Sequence, residues 1–145
     1  MNKNNNMKPK NIVVTGGNSG VGYETVRGLY EEGHNVIFGS RSISKNQEAI
    51  NEITKKAGGT LLSFPLDLST RKSVEEFAKN VQSKFDHIDI LVNNAGRIMT
   101  EGLQRNELGI EMTLAINHFG PFYLTYLLWN TLCKAPEVRI INVSS

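Results

Sequence analysis

The sequence predicts an α/β fold, a doubly wound parallel sheet with helices on both faces. Short runs rich in β-branched residues alternate with helix-length amphipathic segments, which is the pattern of strand–helix–strand crossover units. Several of these runs are apolar almost throughout, as expected for strands that helices cover on both sides. A chain of 145 residues is long enough for one domain with one core and too short for two full domains.

Five strands are expected. Each is a short run of β-branched or aromatic residues bounded by turn-forming residues. The predicted strands cover residues 12–15, 35–40, 60–65, 88–93 and 139–144. Right-handed connections between successive parallel strands then set the hand of every crossover unit.

Four helices are expected between these strands, over residues 20–32, 44–57, 70–85 and 107–132. The third has the clearest pattern, because its apolar residues fall on one face at helical spacing and predict packing on the sheet. That stripe consists of Val74, Phe77, Ala78, Val81 and Phe85. The fourth contains Pro121, which has no backbone N–H and therefore predicts a kink or a restart.

Composition and charge exclude several classes of protein. Sixteen basic and fourteen acidic residues give a net charge of +2, which is too small and too dispersed for a nucleic-acid surface. The single cysteine, Cys133, cannot form an internal disulfide; it predicts a reducing, cytoplasmic setting and a buried apolar role. His34, His87 and His118 lie on separate predicted elements, so no metal site is expected.

Residues 1–10 are expected to form a disordered polar leader ahead of one domain at residues 11–145. Lys3, Lys8 and Lys10 stand there among asparagines without an acidic residue, and the apolar stretch of a signal peptide is missing. The longest apolar segment, residues 122–129, is too short to span a bilayer, so no membrane segment is expected.

A glycine-rich turn joins the first predicted strand to the first predicted helix, with the sequence Thr15-Gly16-Gly17-Asn18-Ser19-Gly20-Val21-Gly22. A helix N-terminus offers unpaired N–H donors, and glycines let a ligand approach the backbone. The turn therefore predicts a pyrophosphate site. Side chains at Gly16, Gly20 or Gly22 would block the ligand or spoil the packing of helix on strand. The spacing G-x-x-x-G-x-G differs from the G-x-G-x-x-G fingerprint, and a purely structural turn is the alternative.

The second predicted strand ends in Gly39-Ser40-Arg41. Sites that select NAD usually carry an acidic residue here, which bonds to the ribose hydroxyls. This chain has none at this place. Arg41 can pair with a 2′-phosphate through charge-assisted hydrogen bonds, and Ser40 can donate its hydroxyl. These residues favour NADP over NAD as the cofactor; the alternative is that Arg41 is a solvated residue opening a loop.

Several motifs follow one another in a fixed order. They are Thr15-Gly16-x-x-x-Gly20-x-Gly22, Ser40-Arg41, Leu66-Asp67-Leu68-Ser69, Asp89-Ile90-Leu91-Val92-Asn93-Asn94-Ala95-Gly96, Asn117-His118-Phe119-Gly120 and Asn142-Val143-Ser144-Ser145. The chain resembles the short-chain dehydrogenases/reductases, and within them the retinol dehydrogenase and WW-domain oxidoreductase branch, over nearly everything after the leader. The resemblance implies a Rossmann-type sheet of strand order 3-2-1-4-5, truncated after the fifth strand. It also implies hydride transfer between NADP(H) and a small-molecule carbonyl or alcohol substrate.

The resemblance also implies roles for single residues. Asp67 would bond to the adenine amino group, and the backbone at residues 94–96 would lie along the adenosine ribose. Asn117 would hold a water in the proton relay, and Ser145 would hydrogen-bond the substrate carbonyl. Ser145 is preferred to Ser144 because it lies nearer the carboxyl end of its strand, with polar strand termination as the alternative for both. The implied cofactor-binding residues are Gly16, Asn18, Ser19, Gly20, Val21, Gly22, Ser40, Arg41, Asp67, Leu68, Asn94, Ala95 and Gly96.

The family's proton-transferring pair, Tyr-x-x-x-Lys, does not occur within the 145 residues. In the family the lysine lowers the tyrosine pKa for acid–base catalysis. We therefore expect this chain to supply the cofactor-binding half of a longer reductase and to be inactive alone. The alternatives are a non-catalytic nucleotide-binding fragment or truncated remnant, and an interaction protein that pairs through the open edge of its fifth strand.

Three aromatic residues, Tyr123, Tyr126 and Trp129, stand at helical spacing in the fourth predicted helix. This spacing favours a place in the core or in a subunit contact. The family buries this helix in its dimer interface, so the resemblance implies a homo-oligomer for the full-length protein. With no further crossover helix, the sheet face near Ile141 is expected to be bare.

Overall fold

The computed structural model describes residues 8–18, 20–96 and 102–143. Its centre is a sheet of five parallel strands in the order β3-β2-β1-β4-β5. The strands are β1 (Asn11–Thr15), β2 (Asn35–Ser40), β3 (Thr60–Pro65), β4 (Ile90–Asn93) and β5 (Arg139–Asn142). The predicted fold class and strand order are confirmed. The direction of winding reverses between β1 and β4, where an open sheet of this kind forms its binding crevice.

Helices cover both faces of the sheet. They are α1 (Gly20–Glu31), α2 (Ile43–Ile53), α3 (Arg71–Lys84), α4 (Met112–Leu114) and α5 (Gly120–Cys133). A π-helical turn at Ala115–Phe119 joins α4 to α5. In the described part of the chain, no helix combines the length and the apolar character that crossing a membrane requires.

Alternate residues of β1 contribute to two cores on opposite faces of the sheet. Ile12 and Val14 pack in the core formed with α1 and α2. Val13, which points the other way, packs in the core formed with α3 and α5. All three side chains are fully buried, which explains why the strand is apolar throughout. The predicted apolar stripe of α3 lies entirely in the second core.

Side-chain caps fix the starts of α2 and α3. Ser42 Oγ accepts a hydrogen bond from the N–H of Lys45 at 3.2 Å. Thr70 Oγ1 accepts from the N–H of Ser73 at 3.3 Å. Each hydroxyl satisfies an N–H group that the first helical turn leaves without an intrahelical partner. Both helices therefore begin within one residue of the predicted positions.

The predicted helix over residues 107–132 is wrong at its beginning. Asn106 Oδ1 accepts from the N–H groups of Leu108 and Ile110 at 3.0 and 2.9 Å, which holds residues 107–111 in a turn. The helix begins at Met112 instead. Pro121, which predicts a kink or a restart of the helix, lies in the first turn of α5, directly after the π-helical turn, and the backbone stays helical through this irregularity.

The fourth and fifth strands are shorter than predicted. Ile88 is fully buried, which explains the prediction, but its N–H donates to the carbonyl of Thr131 in α5 at 3.1 Å instead of joining the sheet. β4 therefore begins two residues later, at Ile90. β5 ends at Asn142; of the remaining predicted residues, Val143 lies outside the strand although its N–H donates to the carbonyl of Asn93 at 3.0 Å, and residue 144 lies outside the described residues.

The surface around β5 and α5 exposes apolar side chains. β5 pairs with β4 at one edge of the described sheet, and its Ile140 and Ile141 are exposed. Tyr126 and Trp129 are 69% and 53% exposed on the outer side of α5. The expectation of a buried Cys133 is wrong, because its side chain lies on the exposed side at the end of α5.

Two glycine-to-alanine substitutions are expected to change stability in opposite directions. A Cβ built on Gly59 would lie 1.9 Å from the backbone carbonyl oxygen of His34, so Gly59→Ala must displace the start of β3. We expect Gly59→Ala to lower the free energy of unfolding by about 1–3 kcal/mol. Gly28→Ala, in α1, meets no atom within 4 Å and should raise it by about 0.5–1 kcal/mol.

Urea unfolding followed by circular dichroism measures both effects on the same chain. Equal stabilities for the two variants would contradict the packing described at the start of β3.

Candidate functional site

A cleft of about 430 Å³ lies at the carboxyl ends of β1, β2 and β4. It is at the place where the winding of the sheet reverses, which is the expected position for a ligand in an open α/β sheet. Nine of the residues that the sequence analysis names line it: Gly16, Asn18, Ser40, Arg41, Asp67, Leu68, Asn94, Ala95 and Gly96. The structure therefore brings together residues from four separate motifs.

The remaining predicted residues lie elsewhere. Gly20 and Val21 line a separate, open depression at the first turn of α1, and Gly22 is buried behind the cleft. Asn117 lies beside the cleft, since a Cβ on Gly96 would come 3.2 Å from Asn117 Oδ1. Ser19 and Ser145 lie outside the described residues.

The glycine turn depends on backbone conformations and close approaches that side chains would prevent. Gly16 and Gly20 have φ values of +73° and +60°, in the left-handed region. A Cβ on Gly22 would lie 2.0 Å from the carbonyl oxygen of Gly16 and 2.5 Å from Asn94 Nδ2. A side chain at Gly22 would therefore make α1 clash with the turn, as the sequence predicts. Space around Gly20 is open, so its requirement is one of backbone conformation.

Thr15 joins the turn after β1 to the loop after β4. Its hydroxyl oxygen accepts hydrogen bonds from the N–H groups of Asn94 and Ala95, both at 3.0 Å. Asn94 Nδ2 also donates to the carbonyl oxygen of Gly16 at 3.3 Å. Thr15 belongs to the glycine-turn motif, which alone indicates no role for it; in the structure it joins the turn after β1 to the loop after β4, both of which line the cleft.

Asp67 has one carboxylate oxygen engaged by its own turn. Asp67 Oδ1 accepts from the N–H of Ser69 at 3.0 Å and from its hydroxyl at 2.6 Å. Among the described residues, no hydrogen bond reaches Oδ2. The turn therefore fixes the carboxylate at the cleft wall and leaves Oδ2 able to accept a hydrogen bond from a ligand.

The end of β2 adds cations to the cleft. Arg41 lines it, as predicted, and so do Ser42 and Lys45, for which the sequence analysis gave no role. Neither Arg41 nor Lys45 takes part in an ion pair with any described residue. Both positive charges lie next to the N-terminus of α2, whose backbone N–H groups also favour anions, while the carboxylate of Asp67 lines the same cleft without pairing with either.

A sequence feature could have indicated Lys45. Ser42 is a typical helix-capping residue, which places Lys45 in the first turn of the following helix, close to Arg41. Gly39, Leu66 and Ile116 complete the lining and were also not predicted.

Ser40 is held in a chain of side-chain hydrogen bonds. Its hydroxyl donates to Asn46 Oδ1 and accepts from Asn18 Nδ2 at 2.6 Å. The single proton of the hydroxyl is thus directed towards α2.

The π-helical turn carries Asn117 at the mouth of the cleft. Glu111 caps α4, because its carboxylate accepts from the N–H groups of Thr113 and Leu114 at 2.9 and 3.0 Å. At the other end of the turn, a Cβ on Gly120 would lie 2.3 Å from the carbonyl oxygen of Leu68. The helix that carries Asn117 is therefore packed against the segment that carries Asp67.

The fold and the cleft together define a Rossmann-type nucleotide-binding domain. Residues 10–145 match the family model described as short chain dehydrogenase, and the chain belongs to that family.

Curated relatives agree. The chain is 39% identical over 137 residues to retinol dehydrogenase 11 of Homo sapiens, with 94% of this chain and 43% of the relative covered. It is 40% identical over 145 residues to the short chain dehydrogenase/reductase dpchH of Colletotrichum higginsianum, with 94% of this chain and 36% of the relative covered. The chain thus spans less than half the length of these two relatives.

Solved structures are similar in fold. An L-sorbose reductase from Gluconobacter frateurii complexed with NADPH and L-sorbose superposes with a TM-score of 0.82 at 26% identity, covering 94% of this chain and 52% of that chain. A metagenomic short-chain oxidoreductase in complex with NADP gives a TM-score of 0.81 at 30% identity, covering 94% and 62%.

The cap on α4 is expected to depend on pH. The backbone N–H groups of Thr113 and Leu114 lower the pKa of Glu111 below its ordinary value. A lowered pKa means that the stabilisation is complete above the ordinary glutamate range, about 4.3, and is lost as the pH falls through the lower folded value. NMR titration of the Glu111 carboxyl carbon and of the two amides should show this transition.

The Glu111→Gln variant is the control, because its amide does not titrate and the pH dependence of the Thr113 and Leu114 amides should disappear. A Glu111 pKa at or above the ordinary range would contradict the capping geometry.

Proposed function

We propose that the cleft binds NADP(H) and that the protein is an NADP-dependent oxidoreductase acting on a small-molecule carbonyl or alcohol. The observation that carries the NADP preference is the pair of unpaired cations, Arg41 and Lys45, beside the N-terminus of α2 in a cleft of this family. No acidic residue stands at the end of β2, where NAD-selective sites usually place one.

The residues present fit a dinucleotide. The close packing of Gly22 on the Gly16 carbonyl forms a side-chain-free cradle, and the first turn of α1 offers N–H groups to a diphosphate. The N–H groups of the first turn of α1 and the partial positive charge of the helix N-terminus would hold the diphosphate in place of water.

The adenosine end would be recognised by fixed polar groups. We assign the adenine amino group to Asp67 Oδ2, since Ser69 occupies Oδ1. The backbone at residues 94–96 would lie along the adenosine ribose, and the Thr15 hydroxyl holds the first two of these residues through their N–H groups. Leu68 supplies apolar contact from the opposite wall of the cleft.

Arg41 and Lys45 would bind the 2′-phosphate. The Ser40 hydroxyl donates its hydrogen bond to Asn46 and therefore has no proton to offer the phosphate. We assign binding of the phosphate charge to the two cations and to the capped N-terminus of α2. A guanidinium forms paired, charge-assisted hydrogen bonds to phosphate oxygens, and an ammonium adds a mobile point charge.

When bound, the coenzyme would supply hydride chemistry: a hydride would pass between its nicotinamide ring and the substrate carbon. Asn117 at the mouth of the cleft is proposed to hold a water for proton transfer, and Ser145 to orient the substrate carbonyl. The 145 residues contain no Tyr-x-x-x-Lys pair to move the proton. We therefore propose that residues 11–145 form the coenzyme-binding domain and do not turn over substrate alone; carbonyl reduction by these residues alone would contradict this.

Relatives support the reaction class. Retinol dehydrogenase 11 and L-sorbose reductase are named for alcohol and carbonyl chemistry, and the second is complexed with NADPH. We further propose a homo-oligomer, supported by the exposed Phe122, Tyr126 and Trp129 on α5, and a cytoplasmic setting, supported by the single cysteine.

Removing either cation is expected to weaken NADPH binding selectively. Arg41→Ala or Lys45→Ala should lower the affinity for NADPH roughly 10–100-fold, because each removes hydrogen bonds to a charged group. Binding of NADH, which lacks the 2′-phosphate, should change little. Fluorescence titration of each reduced coenzyme measures both affinities.

Lys55→Ala is the matched control, since Lys55 lies beyond the other end of α2 and pairs with Glu52 at 3.0 Å. Equal losses for NADPH and NADH, or no loss for either, would count against the phosphate assignment.

A further inference from the structure

A buried amide on α2 faces the cleft wall and has no role in the function proposed above. Asn46 is only 2% exposed, although it is polar and lies on a surface helix. Its side chain makes two contacts with Ser40: Asn46 Oδ1 accepts the Ser40 hydroxyl proton, and Asn46 Nδ2 donates to the Ser40 carbonyl oxygen at 3.4 Å. Through Ser40 it is connected to Asn18 in the glycine turn.

The direction of this hydrogen-bond chain is fixed at its buried end. The Ser40 carbonyl oxygen has no proton, so only the NH₂ group of Asn46 can face it without repulsion. Asn46 Oδ1 is thereby turned to the Ser40 hydroxyl, which must donate to it. A hydroxyl has one proton, so the Ser40 oxygen must accept its other hydrogen bond, the one from Asn18 at 2.6 Å.

The orientation of Asn18 follows from that of Asn46. Because Asn18 uses one N–H of its NH₂ group for Ser40, the side chain is held in one orientation, with its carbonyl oxygen Oδ1 free to accept from a ligand in the cleft, which Asn18 lines. Without the buried amide, the Ser40 proton is free to turn to Asn18, and the Asn18 side chain is no longer held in one orientation. A residue with no access to the ligand thus decides whether the cleft offers an ordered acceptor at this point.

We propose that Asn46 is a positioning residue for coenzyme recognition. Acting through Ser40, it fixes Asn18 Oδ1 as an acceptor for the free 3′-hydroxyl of the adenosine ribose. The inference rests on the proposed binding of NADP(H) in this cleft. It concerns a different part of the ligand from the 2′-phosphate, which Arg41 and Lys45 are proposed to bind.

The test compares two ligands in the full chain, NADP⁺ and its analogue without the adenosine 3′-hydroxyl. The unaltered protein should bind NADP⁺ about fivefold more tightly, the value of one neutral hydrogen bond. In Asn46→Ala and in Ser40→Ala this ratio should fall towards one, because Asn18 is no longer held in place and must be ordered when it bonds to the 3′-hydroxyl. The double variant should show no further change, since both residues act through one path.

Gln47→Ala is the matched control. Gln47 is an exposed amide on the same turn of α2 and donates to Asn51 at 3.0 Å on the solvent side. Its removal should leave the ligand ratio unchanged.

The ratio of the two affinities distinguishes a positioning role of Asn46 from a purely structural one. If Asn46 had a merely structural role, Asn46→Ala would lower the affinity for both ligands by the same factor, and that result would overturn the proposal. A ratio unchanged in both Asn46→Ala and Ser40→Ala would also overturn it, as would the absence of any preference in the unaltered protein. If Asn46→Ala does not fold, Ser40→Ala decides alone. Failure of the unaltered protein to bind either nucleotide would instead refute the proposed function itself.

Discussion

The rest of the cleft depends on the hydroxyl of Thr15. It is fully buried, and it accepts hydrogen bonds from two successive N–H groups, those of Asn94 and Ala95, where the winding of the sheet reverses. These backbone donors lie just past β4 and have no strand to pair with, so leaving them unpaired would be costly. By satisfying both, one side-chain oxygen fixes the loop after β4 against the turn after β1. The contact of Gly22 with Gly16 and the cleft both lie next to this junction.

Much of the fold could be predicted because burial leaves a pattern within each segment. β1 is apolar throughout since its alternate residues lie in two cores, and α3 has its apolar stripe on the face that the sheet covers. The position of the cleft residues could be predicted for a similar reason. Gly16, Arg41, Asp67 and Asn94 all follow strands, and the carboxyl ends of parallel strands meet at one edge of a sheet.

What could not be predicted depends on side-chain directions that no local pattern records. Lys45 and Asn46 are neighbours on α2, yet one lines the cleft and the other is buried, because the angle at which α2 leaves β2 decides which side each faces. The start of α4 was misplaced for a related reason. Asn106 competes with the helix for backbone N–H groups, and only the folded turn shows that the side chain prevails.

The π-helical turn reconciles two demands on one helix. Leu124, Leu128 and Leu132 of α5 face the core, and in an uninterrupted α-helix Asn117, seven residues before Leu124, would fall on the same side. The extra residue in the turn rotates that position away, so that Ile116 packs against this core and Asn117 is exposed beside Gly96. A deletion of residue 115 or 116 that restored a regular helix would leave Asn117 seven residues before Leu124 and turn its amide towards the core. The number of residues here therefore matters to the chemistry as much as their identity does.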